Sequence, residues 1–320
     1  MPHKLMRMHR TDARRDRPVM LAIVGDSAAG KTTITSGLVR ALGAERCTAV
    51  CADDYHRYDR QERRGLPFTP LHPDCNYVGI MEQHLQLLAT GHPVLKPVYD
   101  HRDGMLTRPE YVEPRDFVIV EGLLPLHTKL AAACFDVTVY LSPPEEIRRE
   151  WKIKRDTTQR GYDREQVLAE LGRREPESAN FIRPQRRRAD IVVSFSGVQG
   201  RHDPPGTPLS AELLLRPTIP HPDLSGILAG SGASMHLKLT RDEDGRPVDA
   251  LHIHGYAPPE DSRMLEKAMW EGLGEGGALP GFLGELGDPG KPGKPGGGQR
   301  SEPLAITQLL LLHHLIEAAR

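Results

Sequence analysis

Residues 25–32 read GDSAAGKT and separate two segments of opposite character. Before them, VMLAIV (19–24) is a continuous apolar run, the pattern of a strand buried on both faces. After them, Lys31 to Leu42 carries a helical pattern, with Gly43 placed to stop it. The loop matches G-x-x-x-x-G-K-[ST] in the strand–loop–helix context that the motif requires. Its glycines let backbone N–H groups turn inward around phosphate oxygens, and the helix N-terminus adds positive potential. Gly25, Asp26, Ser27, Ala28, Ala29, Gly30, Lys31, Thr32 and Thr33 are therefore the expected cradle for a nucleotide. Lys31 would reach the β- and γ-phosphates of a nucleoside triphosphate, and the Thr32 hydroxyl would ligate Mg²⁺.

Further apolar strands are expected near 48–52, 117–121 (FVIVE), 136–141 (DVTVYL) and 190–195 (DIVVSF). Helices are expected at 144–160 and 163–174, and another running from a cap at Asn76 to about Thr90. This alternation predicts an α/β chain, a mostly parallel sheet flanked by helices. The texture changes after about residue 197. MHLKLTRDEDGRPVDALHIHGY (235–256) reads as a hairpin turning at Asp244-Gly245. GDPGKPGKPGGG (287–298) reads as a flexible loop, and PLAITQLLLLHHLIEAAR (303–320) as a helix apolar on more than one face. The expected organisation is a basic disordered tail at 1–17, a core at 18–197, and at 198–320 an extension packed on that core.

Charge gathers at two places. ADDYHRYDR (52–60) crowds Asp53, Asp54, His56 and Arg60 onto the end of a predicted strand. Ligands of open α/β sheets collect outside the carboxyl ends of strands, so Asp53 should face the phosphate loop, where a carboxylate can take a proton from an attacking hydroxyl. His56 and Arg60 would then bind an anionic acceptor. On the 144–160 helix, Lys152, Arg155, Asp156 and Arg160 fall at i, i+3, i+4 and i+8, one face. Taken alone that face reads as a salt-bridged surface; beside a phosphate loop it supplies the cationic clamp of phosphoryl transfer. Glu121 ends FVIVE and is the expected Mg²⁺-organising acid.

Composition removes other classes. A formal net charge of −1 gives no global field toward nucleic acid or membrane. No apolar run approaches the ~18 residues that span a bilayer. The four cysteines, Cys47, Cys51, Cys75 and Cys134, form no CxxC pair or zinc spacing. A cytoplasmic protein with free thiols is expected.

GDSAAGKTT, DDYHRYDR, KPVYDH, VIVEGLLPL and WKIKRDTTQRG, in this order, resemble phosphoribulokinase. RPTIPHPDL and ITQLLLLHHLIEA resemble the C-terminal part of its cyanobacterial and plant-type branch. The resemblance implies a P-loop kinase that transfers phosphate from Mg²⁺-ATP to the C1 hydroxyl of ribulose 5-phosphate, giving ribulose 1,5-bisphosphate for carbon fixation. It implies Asp53 as base, Asp156 as a second catalytic carboxylate, and Lys152 and Arg155 as supports on a lid-like helix. His56, Arg60 and Arg160 would contact the sugar phosphate, Tyr99 and His101 would line its site, and Glu121 would be the metal-associated acid. A homo-oligomer, with a dimer favoured, and an assembly with glyceraldehyde-3-phosphate dehydrogenase are also implied.

Plant-type members carry a redox cysteine inside the phosphate loop, where this chain has Ala29. Cys51 matches their partner cysteine and is left without a mate, so thioredoxin switching is not expected and a bacterial-type enzyme is. A uridine-kinase-like enzyme would share the loop and the acidic strand end, with less need for Arg60 and Arg160. A nucleotide-binding regulator would have no use for Asp53 as an acceptor base.

Overall fold

A computed structural model describes residues 17–197, 207–224, 228, 234–274, 279–286 and 300–320. The expected tail (residues 1–16 of it) and the Gly/Pro-rich loop at 287–298 lie outside the described residues. Among the described residues the helices and strands follow one another as β1 Val19–Gly25, α1 Lys31–Leu42, β2 Cys47–Cys51, α2 Val78–Ala89, β3 Val94–Asp100, β4 Met105–Val112, β5 Phe117–Gly122, α3 Lys129–Ala132 and β6 Val137–Leu141. Then come α4 Glu145–Gln159, α5 Arg164–Glu177, β7 Ile191–Ser196, β8 Ser210–Leu215, β9 Met235–Arg241, β10 Pro247–Ile253, α6 Pro259–Gly272 and α7 Glu302–Ala319.

The main sheet has the order β2-β5-β1-β6-β7-β8-β10-β9. Its first five strands are parallel, and β8, β10 and β9 are added antiparallel. All seven residues of β1 are buried, because helices cover both faces of the sheet and no side chain there meets water. Leu21, Ile23, Phe117 and Ile119 pack on one face with Ile34 and Leu38 of α1 and with α7. Met20, Val118 and Val120 pack on the other with Met81 and Leu85 of α2. The register sets Ile23 beside Glu121 and Glu121 beside Cys51. The phosphate loop, Glu121 and Asp53 therefore emerge side by side at one edge.

Several elements differ from the sequence expectations. Asn76 does not cap α2; Tyr77 occupies that position, while the Asn76 amide donates to the Pro70 and His72 carbonyls at 2.9 Å each. The β3–β4 hairpin, with seven of eight β4 residues exposed, forms a separate two-stranded sheet. Exposure on both faces removes the hydrophobic alternation that would have announced it. Helix α5 starts at an Asp163–Gln166 capping box, runs on through Pro176, and continues as a π turn over Ser178–Ile182. The 235–256 hairpin forms as expected, and β8 inserts between it and the parallel strands, so the extension continues the sheet.

Helix α7 docks on α1 and α6, with Leu309, Leu310, Leu311 and Leu312 fully buried. Each such leucine contributes about 1.5–3 kcal/mol of burial. Gln308 on this helix donates to the Thr33 carbonyl at 3.3 Å, directly behind the phosphate loop. Gly37 makes room for it: a Cβ there would lie 2.1 Å from the Gln308 amide nitrogen.

Candidate active site

The phosphate loop is held from three sides. At Gly25 a Cβ would fall 2.7 Å from the Leu141 carbonyl, so only glycine lets β1 turn beside β6. Gly30 (φ 96°) opens α1 in the left-handed region, which glycine enters without strain. Ala28 also has positive φ (66°), a conformation costing a non-glycine residue about 1–2 kcal/mol. Asp26 is buried and both its oxygens accept from Ser178 Oγ at 2.8 Å, which pins the loop to the π turn. From α4, Arg148 donates to the Ser27 carbonyl and Arg155 to Ser27 Oγ, each at 3.2 Å. The Lys31 ammonium lies across the loop, donating to the Gly25 and Asp26 carbonyls at 2.8 and 2.9 Å.

Glu121 accepts from Thr32 Oγ1 and Thr35 Oγ1, both at 3.1 Å. Burial pushes its carboxyl above the ordinary value against the opposing charge of Lys31, and nearby Asp53 adds to the rise. A hydroxyl and a carboxylate, both hard oxygen donors, thus converge at the mouth of the loop. Among the described residues no cluster of three or more metal-ligating side chains occurs. Two oxygens beside a phosphate site fit Mg²⁺, which takes much of its shell from substrate phosphates and water.

The adjacent carboxylates at 53 and 54 diverge. Asp53 Oδ1 accepts from the Leu123 backbone N–H at 3.0 Å, across the tight passage at Gly122. A Cβ at Gly122 would stand 2.6 Å from Ala52 Cβ and 3.0 Å from Asp53 Oδ1, so glycine there keeps the carboxylate in place. Asp54 points the other way, pairing with the buried Lys96 ammonium and accepting from the Tyr99 N–H. It fastens the segment after β2 to β3.

His56 is buried, with Nδ1 2.7 Å from Asn76 Oδ1. Its ring meets Tyr99 edge-on at 4.7 Å, and Tyr99 meets His101 at 5.0 Å, so the three predicted acceptor-site residues form one aromatic wall. Burial lowers the His56 imidazole to about 4 despite the opposing charge of Asp53. Arg60 is turned to the hairpin: its guanidinium donates to the His101 and Arg102 carbonyls at 2.6 and 3.3 Å. Arg63 bonds the Tyr99 hydroxyl and lies 4.9 Å from that ring's centroid.

The predicted face of α4 forms as a network centred on Asp156. Lys152 donates to Oδ2 at 2.7 Å, Arg155 to Oδ1 at 2.8 Å, and Arg160 stands 3.6 Å away. Burial would raise the Asp156 carboxyl, but Arg155 and Lys152 outweigh it and hold it below its ordinary value. The Lys152 ammonium is lowered by burial and then by Arg174, a cation of α5. A small cleft opens here, lined among others by Ser27, Arg148, Lys152 and Arg174. Burial holds the His101 imidazole below its ordinary value, against the opposing charge of Asp53 and with the charge of Arg160 adding to the fall.

Apart from Arg60, each sequence-predicted residue is drawn into these neighbouring groups. Sequence reasoning missed Arg63, Arg148, Arg174 and Ser178, and gave Asn76 another role. Arg63 lies inside the charged run QERRG, and Arg174 stands four residues after Glu170, with which it makes an ion pair. No sequence signal separates such residues from solvated ones.

Against known proteins, the sequence model of the Phosphoribulokinase / Uridine kinase family matches residues 20–199. A phosphoribulokinase of Synechocystis sp. is 39% identical over 178 residues, 56% of this chain and 54% of that protein. A chloroplastic phosphoribulokinase of Chlamydomonas reinhardtii is 28% identical over 221 residues, 64% of this chain and 59% of that protein. The chain thus spans little more than half the length of these curated relatives. The solved phosphoribulokinase of Rhodobacter spheroides superposes with a TM-score of 0.57 at 17% identity, over 80% of this chain and 96% of that one, and carries the fold alone. With the family's sequence model matching over half its length and the phosphate loop, strand-end acids and basic helix in one edge of the sheet, the chain belongs to the phosphoribulokinase / uridine kinase family.

Proposed function

We propose that the protein is a phosphoribulokinase, transferring the γ-phosphoryl group of ATP to the C1 hydroxyl of ribulose 5-phosphate. The observation that carries this reading is Asp53: a carboxylate oriented by Leu123 N–H, beside Glu121 and the phosphate loop, with guanidinium groups on the acceptor side. Asp53 takes the C1 hydroxyl proton as that oxygen attacks the γ-phosphorus, and the β–γ bridging oxygen leaves with ADP. Lys31, Arg155 and Lys152 stabilise the charge on the transferring group, and Asp156 holds the two α4 cations in place. Thr32 and Glu121 would hold Mg²⁺, which neutralises phosphate charge when bound. The sugar's phosphate falls to Arg160, which is 40% exposed and loosely paired.

Residues 18–197 serve as the catalytic core and 198–320 as the extension bracing it through α7. A cytoplasmic homodimer and an assembly with glyceraldehyde-3-phosphate dehydrogenase belong to the same reading, which rests here on family membership. The test is ADP release from Mg²⁺-ATP with a panel of pentose phosphates and uridine. Turnover of ribulose 5-phosphate is expected; turnover of uridine alone would replace this reading with a nucleoside kinase.

A further inference from the structure

Asn76 sits where its two side-chain ends can be told apart by chemistry. Its Nδ2 lies 2.9 Å from the Pro70 carbonyl and 2.9 Å from the His72 carbonyl. Both partners only accept, so the NH₂ group must face them, and the amide oxygen must face the opposite way. That oxygen is 2.7 Å from His56 Nδ1. Two lone pairs cannot meet at this distance, so Nδ1 must carry a proton.

The pair is framed by main-chain bonds. Arg57 N donates to the Cys75 carbonyl and Tyr77 N to the Tyr55 carbonyl, each at 2.8 Å, so residues 56 and 76 oppose each other in an antiparallel bridge. Among the described residues His56 Nε2 makes no hydrogen bond to protein, and the ring is packed against Tyr99 with His101 and Asp53 nearby.

We propose that Asn76 is a positioning residue that locks His56 in its Nδ1–H tautomer, so that Nε2 is a standing lone-pair acceptor for a hydroxyl of the acceptor substrate. The doubly protonated ring would also satisfy Asn76, but burial keeps His56 neutral at ordinary pH. In this state His56 cannot donate to a phosphate through Nε2. It selects instead for a polyhydroxylated chain, and the phosphate is left to guanidinium groups. The substrate half of the inference rests on the sugar-phosphate reading of the site; the tautomer does not.

The experiment is long-range ¹H–¹⁵N correlation on ¹⁵N-histidine-labelled protein near neutral pH, with His56 assigned by the loss of its signals in His56→Gln. A lone-pair shift at Nε2 and a protonated shift at Nδ1 are expected. Asn76→Asp keeps an acceptor against Nδ1 but has no donor for the two carbonyls, so it should retain this tautomer. Asn76→Ala should move the ring toward the Nε2–H form and raise KM for ribulose 5-phosphate about tenfold, the loss of one good hydrogen bond, with KM for ATP unchanged. An Nε2–H ring in the unaltered protein, or an unmoved tautomer in Asn76→Ala, would overturn the proposal. The expected tautomer in a protein that does not turn over ribulose 5-phosphate would overturn only the functional reading.

Discussion

Asp53 and Asp54 are neighbours in sequence, and the structure predicts that they fail in different ways. Asp53→Asn retains an oxygen for the Leu123 N–H and nearly the same shape, so the fold and the phosphate loop should stay intact. What it loses, on the proposed reading, is a base, and a positioned base contributes about 10²–10⁴ in rate. At about 1.4 kcal/mol per tenfold, that is a barrier increase of about 3–5.5 kcal/mol. Asp54→Ala instead takes from the Lys96 ammonium, 4% exposed, its close carboxylate and leaves it Glu110 at 3.9 Å. Breaking a buried pair from one side costs about 3–5 kcal/mol of stability. The assays are kcat from ADP release with ribulose 5-phosphate, ATP affinity by titration, and thermal unfolding. Asp53→Asn should lower kcat at least about 10²-fold with ATP affinity and Tm nearly unchanged, while Asp54→Ala should depress Tm. Near-normal kcat in Asp53→Asn, or an undisturbed Tm in Asp54→Ala, would refute the division of labour.

Arg160→Ala should raise KM for ribulose 5-phosphate about tenfold while leaving KM for ATP little changed, since a charge-assisted hydrogen bond contributes about 1.5–3 kcal/mol; an unaltered KM would remove Arg160 from the phosphate site. Activity should be the same in dithiothreitol and in mild oxidant, because Ala29 stands in the phosphate loop and the Cys51 thiol is pushed up by burial and then by Asp53, Asp54 and Glu121; reversible loss on oxidation that Cys51→Ser abolishes would contradict this. Stability should fall as pH drops below about 6.5, the unfolded value, because burial lowers His314 to about 3, with His221 and His313 adding to the shift, and His56 to about 4. Both rings are neutral in the fold, so the unfolded chain binds the extra protons and gains up to about 1.4 kcal/mol per pH unit for each. His314→Leu should flatten that slope in denaturant titrations from pH 7 to 4, and an unchanged slope would show that His314 does not contribute.

Local information was enough for the phosphate loop, β1, α1, β5 and the turn at Asp244-Gly245. Each depends on apolar runs or on glycine at positions where a side chain or a negative φ would not fit, and those are properties of short segments. The aligned face of α4 was legible for the same reason, since helical spacing alone brings Lys152 and Arg155 to Asp156. Tertiary structure decided what the charges do. Asp53 and Asp54 have the same chemistry and adjacent positions, yet the backbone turn into the short helix after β2 sends one to Leu123 and the other to Lys96. Arg60 and Arg63 likewise divide between the hairpin carbonyls and the Tyr99 hydroxyl. Asn76 had the composition of a cap, and only the approach of the Pro70 and His72 carbonyls made it the partner of His56. A motif is written in neighbours along the chain, whereas the direction of a charged side chain is set by desolvation and by partners tens of residues away, which no local pattern encodes.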